Sequence, residues 1–282
     1  MPTLTPFNWQ KFLRNLPFPR VVTLIGGGGK TGLLYFLLNH LQALGMEAVA
    51  ATTTKMSGLR SQSGFVEVKN LTEAAELLQQ RRQRPEPLTL VGGRDSQQPD
   101  KMVGIPGAWL DQLATEFPNT FFLIEGDGSA GRSLKGHLAH EPVIPQSTGL
   151  VVPVIGFDVL GASLNSNNVH RPERVTQMTG QPPESTVTIE LVLRLLLHPE
   201  GYLRRCPPHS QILPFINKVE RAAALGQAQQ LAAGILASQQ AQIKRVVMGS
   251  TVRQEFYCLT SKGTLNPREN IRPSQARRFY DH

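Results

Sequence analysis

The sequence predicts an α/β fold of three layers, with helices on both faces of a mainly parallel β-sheet. Short apolar runs alternate with segments of helical periodicity, a pattern typical of strands that are connected by helices. Most runs are apolar at nearly every position, as expected for strands buried on both faces. Many of these runs end in glycine or polar residues, which begin the loops after the strands. Loops in this position meet at the carboxyl edge of a parallel sheet. The predicted strands are residues 21–25, 47–51, 88–91, 120–124, 150–155, 212–216 and 244–248.

One domain, over residues 21–260, accounts for most of the 282 residues. Residues 1–20 precede it as an N-terminal extension, and residues 261–282 follow it as a basic tail without apolar periodicity. Proline-rich stretches flank a helix predicted at residues 187–197, which indicates an insertion around residues 181–210.

The composition favours a cytoplasmic protein with small anionic ligands. The formal net charge is +8, which favours anionic partners. Aromatic residues make up 6% of the chain and do not interleave with the basic clusters, which argues against a nucleic-acid partner. Cys206 and Cys258 are far apart and form no CxxC pair, which fits a reducing compartment. No apolar run approaches the ~18 residues of a membrane span, and no signal peptide is predicted.

A glycine run between the first strand and the first helix is the strongest motif. Glycines at such a turn direct backbone N–H groups toward phosphate oxygens, a lysine reaches the β- and γ-phosphates, and a threonine hydroxyl binds Mg²⁺. The usual pattern has a glycine six residues before the lysine, where this chain has Leu24. The remaining Gly-x-x-Gly-Lys-Thr resembles the ATP-binding loop of Mur ligases and folylpolyglutamate synthetases. The predicted nucleotide-binding residues are Gly26, Gly27, Gly28, Gly29, Lys30 and Thr31.

This motif makes the predicted fold P-loop NTPase-like, a fold in which an acidic residue commonly ends a neighbouring strand. Glu125 and Asp127 follow an apolar strand here. Strand alternation puts both on one side, so either can bind Mg²⁺ while the other orients a nucleophilic water. We predict Asp127 and Thr31 as metal ligands, and Lys30, Glu125 and Asp127 as catalytic. The alternative is a charged strand end without a catalytic role.

Threonines and a lysine close the second predicted strand. Hydroxyl groups there can reach Mg²⁺, so Thr53 is a further predicted metal ligand. Lys55 is predicted as catalytic because its charge can neutralise the charge that develops in phosphoryl transfer. A run of threonines is also good strand-forming sequence, which is the alternative interpretation.

Asn217, Lys218 and Glu220 follow a predicted strand in the pattern Asn-Lys-x-Glu, and we predict that they bind the nucleotide. The pattern is close to the Asn-Lys-x-Asp signature by which GTPases read guanine. The longer side chain of Glu220 leaves ATP and GTP both open. Glu220 can instead be only the acidic first turn of the helix predicted at residues 220–237.

Cationic and imidazole side chains gather in three predicted loops. They suit an anionic second ligand, transition-state charge or proton transfer. Taken singly, each histidine is more often a surface or capping residue. The residues are Arg132, Lys135, His140, His170 and Arg171, and all but His140 are predicted as catalytic.

The order of the motifs resembles the YqeC family. The motifs are Gly-Gly-Gly-Gly-Lys-Thr, Thr-Thr-Thr-Lys, Glu-Gly-Asp-Gly-Ser, Ala-His-Glu-Pro-Val-Ile-Pro, Val-His-Arg-Pro-Glu and Asn-Lys-Val-Glu, over about residues 21–248. Members are described as accessory proteins of selenium-dependent molybdenum hydroxylases, which implies a role in maturing a molybdenum or selenium cofactor. Family members commonly have Glu-Ala-Asp-Gly at positions 125–128 and Asn-Lys-x-Asp at positions 217–220. The residues that the resemblance implies in one nucleotide site are Lys30, Thr31, Asp127, Lys135, His140 and His170.

The sequence therefore predicts a Mg²⁺-dependent nucleotide-binding protein, an NTPase that acts as an accessory factor in maturing a molybdenum or selenium hydroxylase cofactor. Its predicted ligand is ATP or GTP, and its predicted partner is a molybdenum-cofactor enzyme or one of its maturation proteins. Two alternatives stay open. One is an ATP-dependent ligase or kinase that acts on a small anionic substrate, and the other is a non-catalytic switch controlled by nucleotide.

Overall fold

The computed structural model describes residues 4–57, 64–81, 87–98 and 101–261. It confirms the predicted three-layer α/β fold, with helices on both faces of a large, mainly parallel sheet. Apart from Ser261, the predicted basic tail lies outside the described residues. In the part of the chain that is described, no helix is both long enough and apolar enough to cross a membrane.

The central sheet combines a parallel interior with one antiparallel edge. In the described ranges, the strands are β1 (Leu4–Pro6), β2 (Val21–Gly26), β3 (Ala48–Thr52), β4 (Met56–Ser57), β5 (Phe65–Glu67), β6 (Thr89–Val91), β7 (Gly93–Arg94), β8 (Lys101–Val103), β9 (Phe121–Glu125), β10 (Leu134–Lys135), β11 (Leu150–Gly156), β12 (Val169–His170), β13 (Gln211–Ile212), β14 (Phe215–Asn217), β15 (Arg245–Ser250) and β16 (Glu255–Thr260). The order in the central sheet is β1-β16-β15-β14-β11-β2-β9-β3-β6-β5, and β13 also pairs with β11. Neighbours from β15 to β5 are parallel, whereas β16 runs antiparallel to β15 and to β1.

Smaller pairings lie at the carboxyl edge. There, β4, β8 and β7 form an antiparallel sheet, and β10 pairs with β12 in parallel.

Two features of the strands differ from the sequence prediction. The edge strands β1 and β5, and β16, which lies between β1 and β15, were not predicted; all three are only partly buried, whereas most inner strands are buried along their whole length. The strand predicted at residues 212–216 is split into β13 and β14. Pro214 lies in the break and has no N–H group to donate to a neighbouring strand.

Helices cover the sheet on both faces. Within the described residues they are α1 (Trp9–Arg14), α2 (Lys30–Ala43), α3 (Leu71–Arg81), α4 (Gly107–Glu116), α5 (Pro172–Thr179), α6 (Ile189–Leu197) and α7 (Ala222–Ala237), with a 3-10 turn at Phe157–Val159. Helices α1 and α2 pack on one face of the sheet and form one core layer with it. On the opposite face there are two apolar clusters, one formed with α3 and α4 and the other with α5, α6 and α7. In β2, Val22 and Leu24 face the first layer while Val21 and Ile25 face the second, as strand alternation requires.

The strand order opens a crevice beside β2. The chain leaves β2 for β3, on the far side of β9, and later passes from β9 to β11 on the other side of β2. Loops at the carboxyl ends of β2 and β9 therefore lie where the direction of the connections reverses, the usual position of ligand sites in such sheets.

The predicted N-terminal extension contributes to this same core. Its strand β1 pairs with β16, and Trp9 of α1 is buried. The Trp9 ring lies edge-on to Phe215, with 5.7 Å between centroids, and to Phe256, with 6.1 Å between centroids. The first helix is thus an integral part of one core layer.

We expect Trp9→Ala to lower the free energy of unfolding by about 3–5 kcal/mol, the usual cost of removing a large buried aromatic side chain. Phe18→Ala is the control because the Phe18 ring is 58% exposed. Its cost should stay below about 1 kcal/mol. Equilibrium unfolding in urea measures both variants, and equal losses would contradict the packing of α1 on the sheet.

Candidate functional site

The glycine loop, residues 26–31, joins β2 to α2 at the carboxyl edge of the sheet. It packs closely against β11. A Cβ atom on Gly28 would lie 2.1 Å from the backbone nitrogen of Gly156, and the φ angle of Gly28 is +82°. Both features require glycine. Gly29, with a φ angle of +107°, is exposed immediately before α2.

Backbone N–H groups at the start of α2 are the donors that the glycine loop leaves available. Earlier N–H groups already donate to protein oxygens: Gly26 to Asp127 Oδ1 (2.9 Å), Gly27 to Val154 O (3.0 Å) and Gly28 to Arg132 O (2.9 Å). The N–H groups of residues 29–32 have no acceptor in the described part of the chain. The first turn of a helix presents such groups toward its N-terminus, where the helix dipole also favours an anion.

The Lys30 side chain turns inward. Its Nζ donates to the carbonyl oxygen of Gly26 and lies 3.3 Å from Asp127 Oδ1 and 4.0 Å from Glu125 Oε1. The hydroxyl oxygen of Ser129 is 3.4 Å away. Lys30 is therefore a buried cation whose charge is balanced by the carboxylates of Glu125, the last residue of β9, and of Asp127.

The side-chain oxygens of Thr31 and Glu125 form a hydrogen-bonded pair at the start of α2. The Thr31 hydroxyl donates to Glu125 Oε2 at 2.7 Å, and Thr31 is partly exposed. Burial raises the pKa of Glu125, although Lys30 and the Thr31 hydroxyl act in the opposite direction. A hydroxyl and a carboxylate are oxygen donors of the kind that Mg²⁺ prefers, so this pair fits that ion.

The carboxylate of Asp127 is surrounded by donors. Both oxygens are within 3.0 Å of the Gly26 nitrogen. Oδ2 is also 2.6 Å from His137 Nε2 and 3.4 Å from Lys135 Nζ, while Oδ1 faces Lys30. Burial alone would raise the pKa of Asp127, but Lys30, His137 and Lys135 together lower it well below its usual range. A carboxylate offers about four acceptor positions, so these contacts use its capacity.

Lys135 continues this network away from the glycine loop. The side chain is fully buried, and its Nζ donates to Gly128 O at 2.5 Å and lies 3.1 Å from Glu141 Oε2. Arg171 binds both oxygens of the same Glu141. Charges of opposite sign thus alternate from Lys30 to Arg171, and neither Lys135 nor Arg171 is a free cation.

The two histidines named by the sequence analysis lie at the margin of this network. His170 is opposite Lys135 in the β10–β12 pair. Burial and the charges of Arg171 and Lys135 lower the pKa of His170 to about 4, so its imidazole is neutral at pH 7. His140 is exposed, and its side chain forms no hydrogen bond or ion pair with the other described residues.

Threonine and lysine side chains after β3 are engaged by other groups of the protein. The Thr53 hydroxyl donates to Val143 O at 2.7 Å, and Lys55 Nζ pairs with Asp95. Only the backbone of Lys55 approaches the acidic loop, since a Cβ on Gly128 would lie 3.3 Å from Lys55 O. The structure therefore does not bring the Lys55 ammonium group together with Lys30.

Asn217 joins the end of β14 to the glycine loop. Its Nδ2 donates to Gly28 O at 2.8 Å, and its Oδ1 accepts from the N–H of Thr251 at 3.2 Å. Lys218 Nζ, in contrast, donates to Ser133 Oγ and to Asp158 Oδ2, both at 2.7 Å. Glu220 is exposed and precedes α7, which begins at Ala222 rather than at Glu220 as predicted.

Arg132 contacts the glycine loop through its backbone. Its carbonyl oxygen accepts from Gly28 N, while its side-chain Nε donates to Ser166 O at 2.8 Å. The guanidinium group is thus directed to a neighbouring loop.

Several site residues escaped the sequence analysis. His137 and Glu141 come from loops without periodicity, and their proximity to Asp127 and Lys135 depends on the path of the chain. Tyr202 is fully buried, and its hydroxyl accepts from the N–H of Lys135 at 3.1 Å. Its ring edge would lie 2.4 Å from a Cβ on Gly26. Two sequence signals point to this region: the motif Ala-His-Glu-Pro, which contains Glu141, and the spacing of Lys135, His137 and Glu141, a cluster of ionisable residues beside a predicted cationic loop.

Comparisons with known proteins bear on the identity of the chain. Residues 22–173 match the family described as YqeC protein. The uncharacterized protein YqeC of Escherichia coli (strain K12) is 32% identical over 202 residues, which cover 71% of this chain and 76% of that relative. The family match spans the glycine loop, Glu125, Asp127 and Lys135, and it confirms the predicted resemblance: the chain belongs to the YqeC family.

Proposed function

We propose that this protein binds and hydrolyses ATP or GTP with Mg²⁺. The observation that carries the proposal is the start of α2, where the N–H groups of residues 29–32 lack acceptors among the described residues and lie beside the Lys30 ammonium group. Helix N-termini of this kind bind phosphate through backbone donors and the helix dipole. A triphosphate is the biological ligand that best matches this combination of donors.

Lys30 is the side chain that responds to the phosphate in this proposal. It is anchored to Gly26 O and Asp127 by its Nζ, and its Cα lies in the first turn of α2. Rotation about its side-chain bonds carries the ammonium group from Asp127 toward the helix N-terminus. There its charge stabilises the β- and γ-phosphates and the charge that develops during hydrolysis.

We assign Mg²⁺ to Thr31 and Glu125. Other parts of the protein occupy the oxygens of Asp127 and the hydroxyl of Thr53. Thr31 and Glu125 instead bind each other, next to the available N–H groups. When bound, the ion would neutralise phosphate charge and orient the phosphate chain. This assignment shifts the metal-binding role from Asp127 and Thr53 to Glu125.

The ends of β14 and β15 are our candidates for the side on which the base lies. Asn217 connects the glycine loop with Thr251, so both strand ends are fixed relative to the phosphate-binding donors. Lys218 is engaged by Asp158 and Glu220 is exposed, so neither side chain distinguishes guanine from adenine. The proposal therefore includes both nucleotides.

We further propose that hydrolysis serves the maturation of a molybdenum or selenium hydroxylase cofactor, a role that rests on membership of the YqeC family. The ligase or kinase alternative requires cations that are free to hold an anionic second substrate. Lys135 and Arg171 are both paired with Glu141, so the arrangement favours hydrolysis or switching over group transfer to an anion.

Lys30→Ala should weaken the binding of Mg·ATP and Mg·GTP by tenfold or more, because a charge-assisted contact with phosphate is worth ~1.5–3 kcal/mol. Isothermal titration calorimetry measures the affinities. Lys244→Ala is the matched control, since Lys244 is exposed and precedes β15 at the opposite edge of the sheet. Thermal unfolding verifies that both variants are folded. Unchanged affinity in folded Lys30→Ala would overturn the proposed function.

Glu125→Gln should abolish the Mg²⁺ dependence of nucleotide binding while leaving binding in EDTA close to that of the wild type. The amide keeps the size of the side chain and an oxygen for the Thr31 hydroxyl but removes the charge that attracts the ion. Nucleotide affinity is measured with Mg²⁺ and with EDTA, and Glu76→Gln on the exposed face of α3 is the control. An undiminished response to Mg²⁺ in Glu125→Gln would refute the metal assignment.

A further inference from the structure

A fully buried lysine whose ammonium group contacts two carboxylates is unusual and needs a physical reason. Lys135 has no exposed side-chain area, and its Nζ contacts Gly128 O, Asp127 and Glu141. Burial lowers the pKa of Lys135, and the two carboxylates oppose this effect. Buried ion pairs contribute little net stability because desolvation offsets the attraction between the charges. Stability alone is therefore a weak explanation for Lys135.

Asp127 is shared by two lysines that lie in different surroundings. Lys30 Nζ is 3.3 Å from Oδ1 and Lys135 Nζ is 3.4 Å from Oδ2. Lys30 lies at the start of α2, next to the N–H groups without acceptors. Lys135 is held by Gly128 O and by Glu141, which Arg171 in turn holds. Of these two lysines, only Lys30 lies beside the N–H groups of the proposed phosphate site.

The departure of Lys30 would leave a fully buried carboxylate with less compensation. An unpaired charge in such an environment is strongly unfavourable. Lys135 and His137 are the groups that remain on Asp127 Oδ2. The His137 Nδ1 atom is buried without a partner in the described chain, so we assign its proton to Nε2, which donates to Asp127. Lys135 is then the permanent positive charge at this carboxylate.

We propose that Lys135 is a positioning residue that holds Asp127 on the Gly26 N–H group and thereby lets Lys30 exchange between Asp127 and a bound phosphate. The inference rests on the proposed function, because the exchange requires a phosphate ligand. Lys135 itself does not touch the nucleotide. It acts by keeping the charge of Asp127 compensated while Lys30 is away.

The test compares Lys135→Met in two backgrounds. Methionine keeps the unbranched apolar stem and removes the charge, so Asp127 should retain Lys30 and the affinity for Mg·ATP and Mg·GTP should fall tenfold or more. In an Asp127→Asn background no charge needs compensation. The same substitution should then change the affinity by less than threefold relative to Asp127→Asn alone. Lys244→Met is the matched surface control.

A merely structural role for Lys135 would not show this dependence on Asp127. Equal losses of affinity in both backgrounds, with comparable thermal unfolding of the variants, would overturn the proposal. Affinity unchanged by Lys135→Met in the wild-type background would overturn it as well.

A second readout needs no nucleotide and separates this proposal from the proposed function. Labelling isoleucine with ¹³C and glycine with ¹⁵N selects the amide resonances of glycines that follow an isoleucine. In this sequence these are Gly26 and Gly156. Lys135→Met should shift the Gly26 amide resonance, because Asp127 turns toward Lys30, and Lys244→Met should not. If the wild type binds no nucleotide, the proposed function fails, and an unshifted Gly26 resonance would independently exclude Lys135 as a positioning residue.

Discussion

The hydrogen bond between the Gly26 N–H group and the carboxylate of Asp127 is the contact on which the candidate site depends. It joins the end of β2 to the residue that follows β9 by two positions, with both atoms buried. Because a lone buried carboxylate is costly, Asp127 requires compensating donors. Lys30, Lys135 and His137 supply them, and the resulting low pKa keeps the charge in place at neutral pH.

The fold explains how these groups meet. Parallel strands bring the ends of β2, β9 and β11 to one edge, and the connections reverse direction at this point. Tight packing of the glycine loop on β11 sets the start of α2, and Asn217 ties the loop to β14. Tyr202 packs against this site: its ring lies against Gly26, and its hydroxyl accepts a hydrogen bond from the N–H group of Lys135. Segments remote in sequence thus converge on one charged cluster.

Much of this architecture could be predicted from the sequence because apolar runs mark the inner strands. The positions of Lys30, Thr31, Glu125 and Asp127 at strand and helix ends follow from that pattern. Side-chain direction does not follow from it. Lys55 follows a buried strand as predicted, but its ammonium group pairs with Asp95 from the β7–β8 segment. Pairings between loops are set by tertiary packing, for which a linear pattern carries little information.

His137 lies in the site, but the sequence pattern did not identify it. No periodicity singles it out, whereas His140, three residues later, belongs to a recognisable motif and is exposed. The difference arises because the segment after β10 turns inward at His137, where the ring packs edge-on against Tyr202 with 4.6 Å between centroids. A residue drawn into the site by such packing can be found only once the fold is known.

The most direct test is the crystal structure of the protein with Mg²⁺ and a non-hydrolysable ATP or GTP analogue. Lys30 Nζ is expected within ~2.7–3.2 Å of a phosphate oxygen, with the Gly26 N–H group still on Asp127 and Lys135 still beside it. A nucleotide bound elsewhere, or one bound at α2 with Lys30 Nζ still on Gly26 O and Asp127, would contradict the central claim that triphosphate draws Lys30 from a carboxylate that other residues hold in place.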